Sequence, residues 1–285
     1  MDAQGRVVAI IQARMGSSRL PGKVLLDLAG APVLAHVVAR LRRTRLVDAV
    51  IVATTVDPAD DPLVEFCAAE RPDLGAAKRP DLGAAKRPDL GAAKRGLPCY
   101  RGSVLDVLER FVQAARHAEA DVVVRITADC PLIDPQGVDA VVEALLKHPS
   151  CDFACNRLPP PWRRTFPIGL DVEVCRMTAL ERAAREATQA YQREHVMPYL
   201  YDTPGRFGVL QLHTDPDYGS LRWTLDTPAD LTVLRQMFAA FAGREDEFSW
   251  QEALAWWQAH PEVQGLNAGV QHKSLTDVDA RWEQQ

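Results

Sequence analysis

The strongest constraint on what this chain can fold into is an alternation, between residues 7 and 147, of short apolar runs with amphipathic stretches of helical length. It opens with VVAII at 7–11, passes through a Gly- and Ser-rich segment, and enters an amphipathic stretch at 32–44 whose Pro32 suits a first helical turn. The pattern then repeats. Residues 49–53, 97–100 and 121–127 read as strands, and 61–70, 104–118 and 135–147 as helices. Strands separated by helices of this length pair through crossovers, which predicts an α/β class with three α/β/α layers and a mostly parallel central sheet. In such sheets ligands bind outside the carboxyl ends of the strands, so the loops after Ile11 and Thr127 are where chemistry is expected.

Beyond residue 150 the pattern changes. Short β-like runs at 151–155, 170–175, 207–212 and 221–224 are interleaved with helical stretches at 178–187, 193–201, 229–242 and 250–259. This half is expected to complete the sheet and build a second pocket. No stretch is rich enough in Gly, Pro or Ser to separate independent domains, so we expect a main domain over 1–245 and a C-terminal helical tail over 246–285. One segment stands apart: residues 71–78, 79–86 and 87–94 each read RPDLGAAK. A solenoid needs repeats of roughly 20 residues or more, and each octad has one sizeable apolar side chain, so no core can form from them. Pro72, Pro80 and Pro88 also interrupt any continuous helix. Residues 71–94 are therefore expected to be a flexible surface insertion, whose excision would join Glu70 to Arg95 through an ordinary short connection. A partner-docking arm is the functional alternative.

Composition removes several classes of function. A chain of 285 residues with a formal charge of -5 lacks the basic surface that wrapping nucleic acid requires, so an anionic ligand must meet a local basic cluster. No run of 18 apolar residues occurs and residues 1–6 are polar, which predicts no membrane span, no signal peptide and a cytoplasmic address. The six cysteines form no C-x-x-C pair and lie in apolar settings, as structural thiols do.

The densest chemical signal is Gln12-Ala13-Arg14-Met15-Gly16-Ser17-Ser18-Arg19-Leu20-Pro21-Gly22-Lys23, directly after the first strand. Three cations, spaced by small residues that let backbone N–H groups approach a ligand, suit a triphosphate; the other reading is a solvated basic loop. A Walker loop does not fit, because five residues separate Gly16 from Gly22 and Val24 stands where a Ser or Thr would hold Mg²⁺. Asp129 follows the strand 121–127, where a carboxylate must find a partner such as Mg²⁺ or else cap the turn before Pro131. Asp226 precedes Thr227 and Pro228, and is either a second metal carboxylate or, like Thr227, a helix N-cap. Mg²⁺ usually takes one or two protein carboxylates plus phosphate oxygens, so Asp129 and Asp226 would suffice.

The ordered blocks IIQARMGSSRLPGKVL, RGSVLDVLERF, VRITADCPLID, RTFPIGLDVEV, REHVMPY and RWTLDTPADL resemble the cytidylyltransferase superfamily of CMP-sugar-acid synthetases. The branch resembled is the spore-coat polysaccharide type, related to enzymes that activate 3-deoxy-manno-octulosonate and sialic-type acids. The likeness runs from Val7 to about Leu234 and is interrupted by the octads. It implies a Rossmann-like nucleotide-diphospho-sugar transferase fold and a cytidylyltransferase domain over 1–245. It also implies CTP as co-substrate with Mg²⁺ as cofactor. By the resemblance Ala13 gives the cytosine a backbone contact, and Arg14 and Lys23 hold the triphosphate in a loop that includes Met15, Gly16 and Arg19. Ser103 and Asp106 fall where base and ribose are supported, Thr127 lies beside the base, Asp129 is the metal-binding Asp and Asp226 the second metal carboxylate. Thr127 and Ala128 stand where related branches carry Gln and Gly.

The implied reaction is attack of a sugar's anomeric hydroxyl on the α-phosphorus of CTP, with Arg14, Lys23 and Asp129 carrying catalysis. An acceptor carboxylate wants a bidentate Arg, for which Arg164, Arg193 and His195 are candidates; His195 also reads as a packed helix residue. Asp171 and Glu173, two apart on one strand, share a face and could meet sugar hydroxyls or a water shared with Mg²⁺. Trp250, Trp256 and Trp257 read as core. The expected partners are CTP, a sugar acid and a second copy of the chain, with no nucleic acid and no membrane. Two further readings stay open: a GT-A glycosyltransferase, with Asp215-Pro216-Asp217 as its D-x-D, and a non-catalytic nucleotide-binding scaffold.

Overall fold

The computed structural model describes residues 5–69, 96–159, 162–271 and 274–284, so the octad insertion expected over 71–94 lies outside the described residues. Strand β1 (Val7–Gln12) leads through a long loop to the small hairpin β2 (Asp27–Leu28) and β3 (Ala31–Pro32), then to α1 (Val33–Arg42). Next come β4 (Ala49–Thr55), α2 (Asp61–Ala69), β5 (Cys99–Gly102), α3 (Val107–His117), β6 (Val122–Thr127) and α4 (Pro135–Lys147). The second half contributes β7 (Phe153–Cys155), β8 (Glu173–Arg176), α5 (Met177–Glu186), α6 (Ala190–His195), α7 (Pro198–Tyr201) and β9 (Val209–Gln211). It closes with α8 (Pro228–Ala240), α9 (Trp250–Ala259) and α10 (Pro261–Gln264).

The main sheet has seven strands in the order β5-β4-β1-β6-β8-β7-β9. The first four are parallel, β8 runs antiparallel to both β6 and β7, and β9 is parallel to β7. This is the expected mostly parallel sheet. Strand β1 is apolar from Val7 to Ile11 because both faces of the sheet are covered. Val7, Ala9 and Ile11 pack with α1 and α4, whereas Val8 and Ile10 pack with α3 and α5, as the two-residue period of a strand dictates. Each fully buried Val, Leu or Ile contributes about 1.5–3 kcal/mol, so the ends of β1 and β6 are held by a stiff scaffold.

Several boundaries depart from the sequence reading. The run 221–224 is no sheet strand: it makes one parallel bridge, Arg222 to Ile168, while the N–H of Leu225 turns to the carbonyl of Asp129 at 2.9 Å. Its hydrogen bonding is thus divided between two segments. Gly169 permits this approach, since its φ is +105° and a Cβ there would lie 2.7 Å from the carbonyl carbon of Trp223. The helix expected over 193–201 is two short helices, broken where Val196 takes a φ of 71° and Pro198 opens the next turn.

Residues beyond 245 share a buried cluster with α8: Phe248, Ala253, Leu254, Trp257 and Val263 pack with Trp223, Val233 and Phe238. Arg40 of α1 donates to the carbonyls of Phe248 and Glu245 at 3.0 and 2.9 Å, tying this region to α1. Trp257 is core, and Trp250 and Trp256 are partly buried against it. All six cysteines are free thiols, and no described helix is long and apolar enough to cross a membrane.

Candidate active site

The loop after β1 is held open from beneath. Asp60, buried at the end of a short turn, accepts the Met15 N–H at 2.6 Å and also the Thr55 hydroxyl. The Met15 carbonyl accepts the N–H groups of Ser17 (3.0 Å) and Gly22 (2.9 Å), closing the loop on itself. Gly22 adopts a left-handed φ of 68°, which sends the chain into the 3₁₀ turn Lys23–Leu25. Gly16 stays exposed at the tip with open space around its Cα. The N–H of Ala13 is engaged by the Ala53 carbonyl at 3.2 Å, so a base contact at this residue would fall to its own carbonyl.

Lys23 swings inward to the carboxyl ends of β1 and β6. Its Nζ donates to Asp129 at 2.5 Å and to Asp226 at 2.7 Å, and the residue is 9% exposed. Arg19 reaches the other oxygen of Asp226 at 2.9 Å, and Arg222 reaches the same oxygen at 2.6 Å. Burial opposes the charge on Lys23, but Asp129 and Asp226 outweigh it and hold the ammonium above its ordinary pKa. Asp226 is likewise disfavoured by burial, yet Lys23, Arg222 and Arg19 hold its carboxyl far below the usual range. Three loops meet in this cluster.

The capping alternative for Asp226 is answered by its neighbours. Thr227 is the N-cap of α8, in a reciprocal box with Asp230 and with Pro228 following, so Asp226 faces the cations instead. Asp129 is placed by the neighbouring segment 224–225: its carbonyl accepts the Leu225 N–H and the Thr224 hydroxyl. Thr127 ends β6 opposite Gln12 with its hydroxyl 3.2 Å from the Cys130 sulfur. Burial, reinforced by Asp129, pushes the Cys130 thiol well up, so it is no nucleophile.

Both Asp129 and Asp226 lie within hydrogen-bond distance of one ammonium, so their oxygens converge on a single point. Such a pair fits Mg²⁺, which completes its shell with phosphate and water oxygens. Among the described residues no group of three or more His, Cys, Asp or Glu side chains could hold a metal, which disfavours an all-protein zinc site.

Other expected nucleotide residues are engaged locally. Ser103 accepts the Asp106 N–H at 3.0 Å, and Asp106 caps α3 through the Glu109 N–H. Arg193 is joined to Asp106 at 2.6 and 2.8 Å and to the carbonyls of Ala184 and Ala187, so its guanidinium braces the start of α3 against α6. Arg14 lies 3.6 Å from Asp279, and Arg19 also donates to the Gln271 carbonyl. Sequence reasoning missed Arg110, buried with its donor on the Ser103 carbonyl; burial, then neighbouring Arg14, lowers its pKa to about 10, so it stays charged at neutral pH.

A second cluster lies across β6 and β8. Arg164 pairs with Asp171 at 2.5 Å, Arg157 lies 3.8 Å from Asp171 and 3.7 Å from Glu173, and Arg125 pairs closely with Glu173. Asp171 and Glu173 do converge, although Asp171 precedes β8. Arg125 and Arg157 were missed; the first had a signal, a lone cation inside the buried strand VVVRIT. His195, at the end of α6, has a buried Nε2 with no hydrogen-bond partner among the described residues. Burial, then Arg125, lowers its pKa and keeps the imidazole neutral. Asp217 of the D-x-D candidate instead takes the Gly219 N–H and Arg163 at the surface.

A family model described as Cytidylyltransferase matches residues 8–71 and 91–236, leaving most of the octads outside the match. The spore coat polysaccharide biosynthesis protein SpsF of Bacillus subtilis is 27% identical over 90% of this chain and 96% of its own. The 3-deoxy-manno-octulosonate cytidylyltransferase of an Anaeromyxobacter species is 41% identical over 142 residues, covering 49% of this chain and 47% of that enzyme. A solved cytidylyltransferase from Leptospira borgpetersenii superposes with a TM-score of 0.77 at 28% identity, over 94% of this chain and all of that one.

Proposed function

The chain belongs to the cytidylyltransferase family and is a nucleotidyltransferase, and from that premise we propose that it transfers CMP from CTP to the anomeric hydroxyl of a sugar acid, releasing pyrophosphate for surface polysaccharide biosynthesis. The observation that carries this reading is the meeting of Lys23 with Asp129 and Asp226, beside Arg19, at the carboxyl ends of β1 and β6. The triphosphate would draw Lys23 away from the carboxylates and take Arg14, Arg19 and Lys23 as its cationic partners. Mg²⁺, held by Asp129 and Asp226, would supply neutralisation of the charge that builds on the phosphoryl oxygens. Asp60 keeps the loop backbone, Met15 and Gly16 included, in place while these side chains exchange partners, and Ala13, Ser103, Asp106 and Thr127 line the nucleoside side.

The acceptor end fits an acid. Three guanidinium groups, Arg125, Arg157 and Arg164, face two carboxylates, Asp171 and Glu173, which leaves one positive charge for an incoming carboxylate. The neutral His195 offers its unpartnered Nε2 to a sugar hydroxyl. Arg193 acts beneath this site by bracing Asp106. The same proposal includes a cytoplasmic address, consistent with six free thiols, and a homodimer.

The test is incubation with CTP, Mg²⁺ and a panel of sugar acids while pyrophosphate is followed. Release that requires a sugar acid is expected. Hydrolysis of a sugar nucleotide with no pyrophosphate would favour the glycosyltransferase reading, and CTP binding without any turnover would favour a scaffold.

A further inference from the structure

Beyond α10, Gln271 and residues 274–284 touch both ends of the site. The Gln271 carbonyl accepts Arg19 at 3.1 Å. Farther on, the Asp279 N–H donates to Glu194 Oε2 at 2.7 Å, and the Trp282 indole N–H donates to the same oxygen at 3.1 Å. The His195 imidazole lies beside the backbone of Asp277. The Asp279 carboxylate, braced by Arg281 at 2.8 and 2.9 Å, lies 3.6 Å from the Arg14 guanidinium. Thus two of the three loop cations are engaged by Gln271 and Asp279, and Asp279 and Trp282 are pinned to α6, on which His195 sits.

We propose that residues 274–284, with Gln271 ahead of them, form an autoinhibitory strap in which the Asp279 carboxylate stands in for a phosphate and must be displaced before the polyphosphate reaches Arg14 and Arg19. The inference rests on the reading of those two arginines as polyphosphate contacts. Chemistry and mobility both support it. A carboxylate and a phosphate oxygen compete for the same guanidinium. Most described residues of the strap are exposed and none joins a buried apolar cluster, so it is held by a few polar contacts and opens at small cost. The anchor beneath it is separate: Asn267 donates to the Arg222 carbonyl and to Asp230, and stays in place if the chain ends at Val270.

CTP binding with Mg²⁺ is measured by calorimetry for the full chain, for the Asp279→Asn and Glu194→Ala variants, and for a chain ending at Val270. Because the Arg14–Asp279 pair is partly exposed, its loss is expected to tighten CTP about two- to fivefold, and loss of the whole strap about tenfold. Glu194→Ala frees the strap without altering the loop and should tighten CTP as Asp279→Asn does. Hydrogen exchange over 274–284 in the full chain should accelerate when CTP is added. Measurable CTP binding with unchanged affinity in all three variants, or with unaltered exchange, overturns the strap and leaves the functional reading standing. Absence of Mg²⁺-dependent binding in both the full and the shortened chain overturns both.

Discussion

The two ends of the site differ in how their charges are balanced. At the nucleotide end Lys23, Arg19 and Arg222 are matched by Asp129, Asp226 and Asp230, each cation already within reach of a carboxylate. At the proposed acceptor end three arginines share two carboxylates, and a buried imidazole nitrogen has no partner among the described residues. The first end is closed on itself and must exchange partners to bind anything. The second is built around an unmet need for an anion or a hydroxyl. A polyphosphate arriving with its metal can replace each internal pair by a new one, whereas a monoanionic acid needs only the surplus charge already present.

The largest effect is expected from Lys23→Ala. It should lower kcat by about 10²- to 10³-fold, the usual loss when one preorganised charge is removed from a transition state, with the acceptor KM little changed. Circular dichroism should show the fold intact, and Mg²⁺ should now raise the melting temperature more than in the parent, because two carboxylates are left facing each other.

Asp226→Asn comes next. Removing this anion leaves Lys23, Arg19 and Arg222 undercompensated and should cost about 1–3 kcal/mol in urea unfolding at neutral pH. The folded carboxyl lies below its unfolded value, so its contribution is full above a pH of about 4 and is lost as the pH falls through the folded pKa. The gap between parent and variant should therefore narrow below that pH, and a constant gap would contradict the charge account. A smaller effect is expected at the other end: His195→Gln should raise the acceptor KM about three- to tenfold while the CTP KM stays put, as loss of one neutral hydrogen bond allows. If the CTP KM moved instead, the two ends would not be separate. The smallest change belongs to Asp217→Ala, whose exposed pair with Arg163 predicts a melting temperature and a turnover indistinguishable from the parent's.

How legible these two ends were in the sequence also differs. The nucleotide loop, Asp129 and Asp226 each follow a strand-like run within a few residues, so local pattern locates them. The layered sheet was legible for the same reason, because apolar residues in β1 and helical periods in α1, α3 and α4 are local signals. Asp60 is invisible that way: it supports Met15 from 45 residues away, and nothing near Asp60 announces it. The acceptor cluster depends on Arg125, Arg157 and Arg164 being gathered by the crossing of β6, β8 and the loops between them. The role of Arg193 was obscured similarly, since its partner Asp106 lies 87 residues earlier. Pro198 did carry a readable break in the helix expected over 193–201.

Calorimetric titration of the full chain with CTP, in EDTA and then in Mg²⁺, measures the exchange of partners at Lys23 most directly. Binding at least tenfold tighter with Mg²⁺, and loss of that difference in Asp129→Asn, is the predicted result. Equal affinity in the two buffers would contradict it.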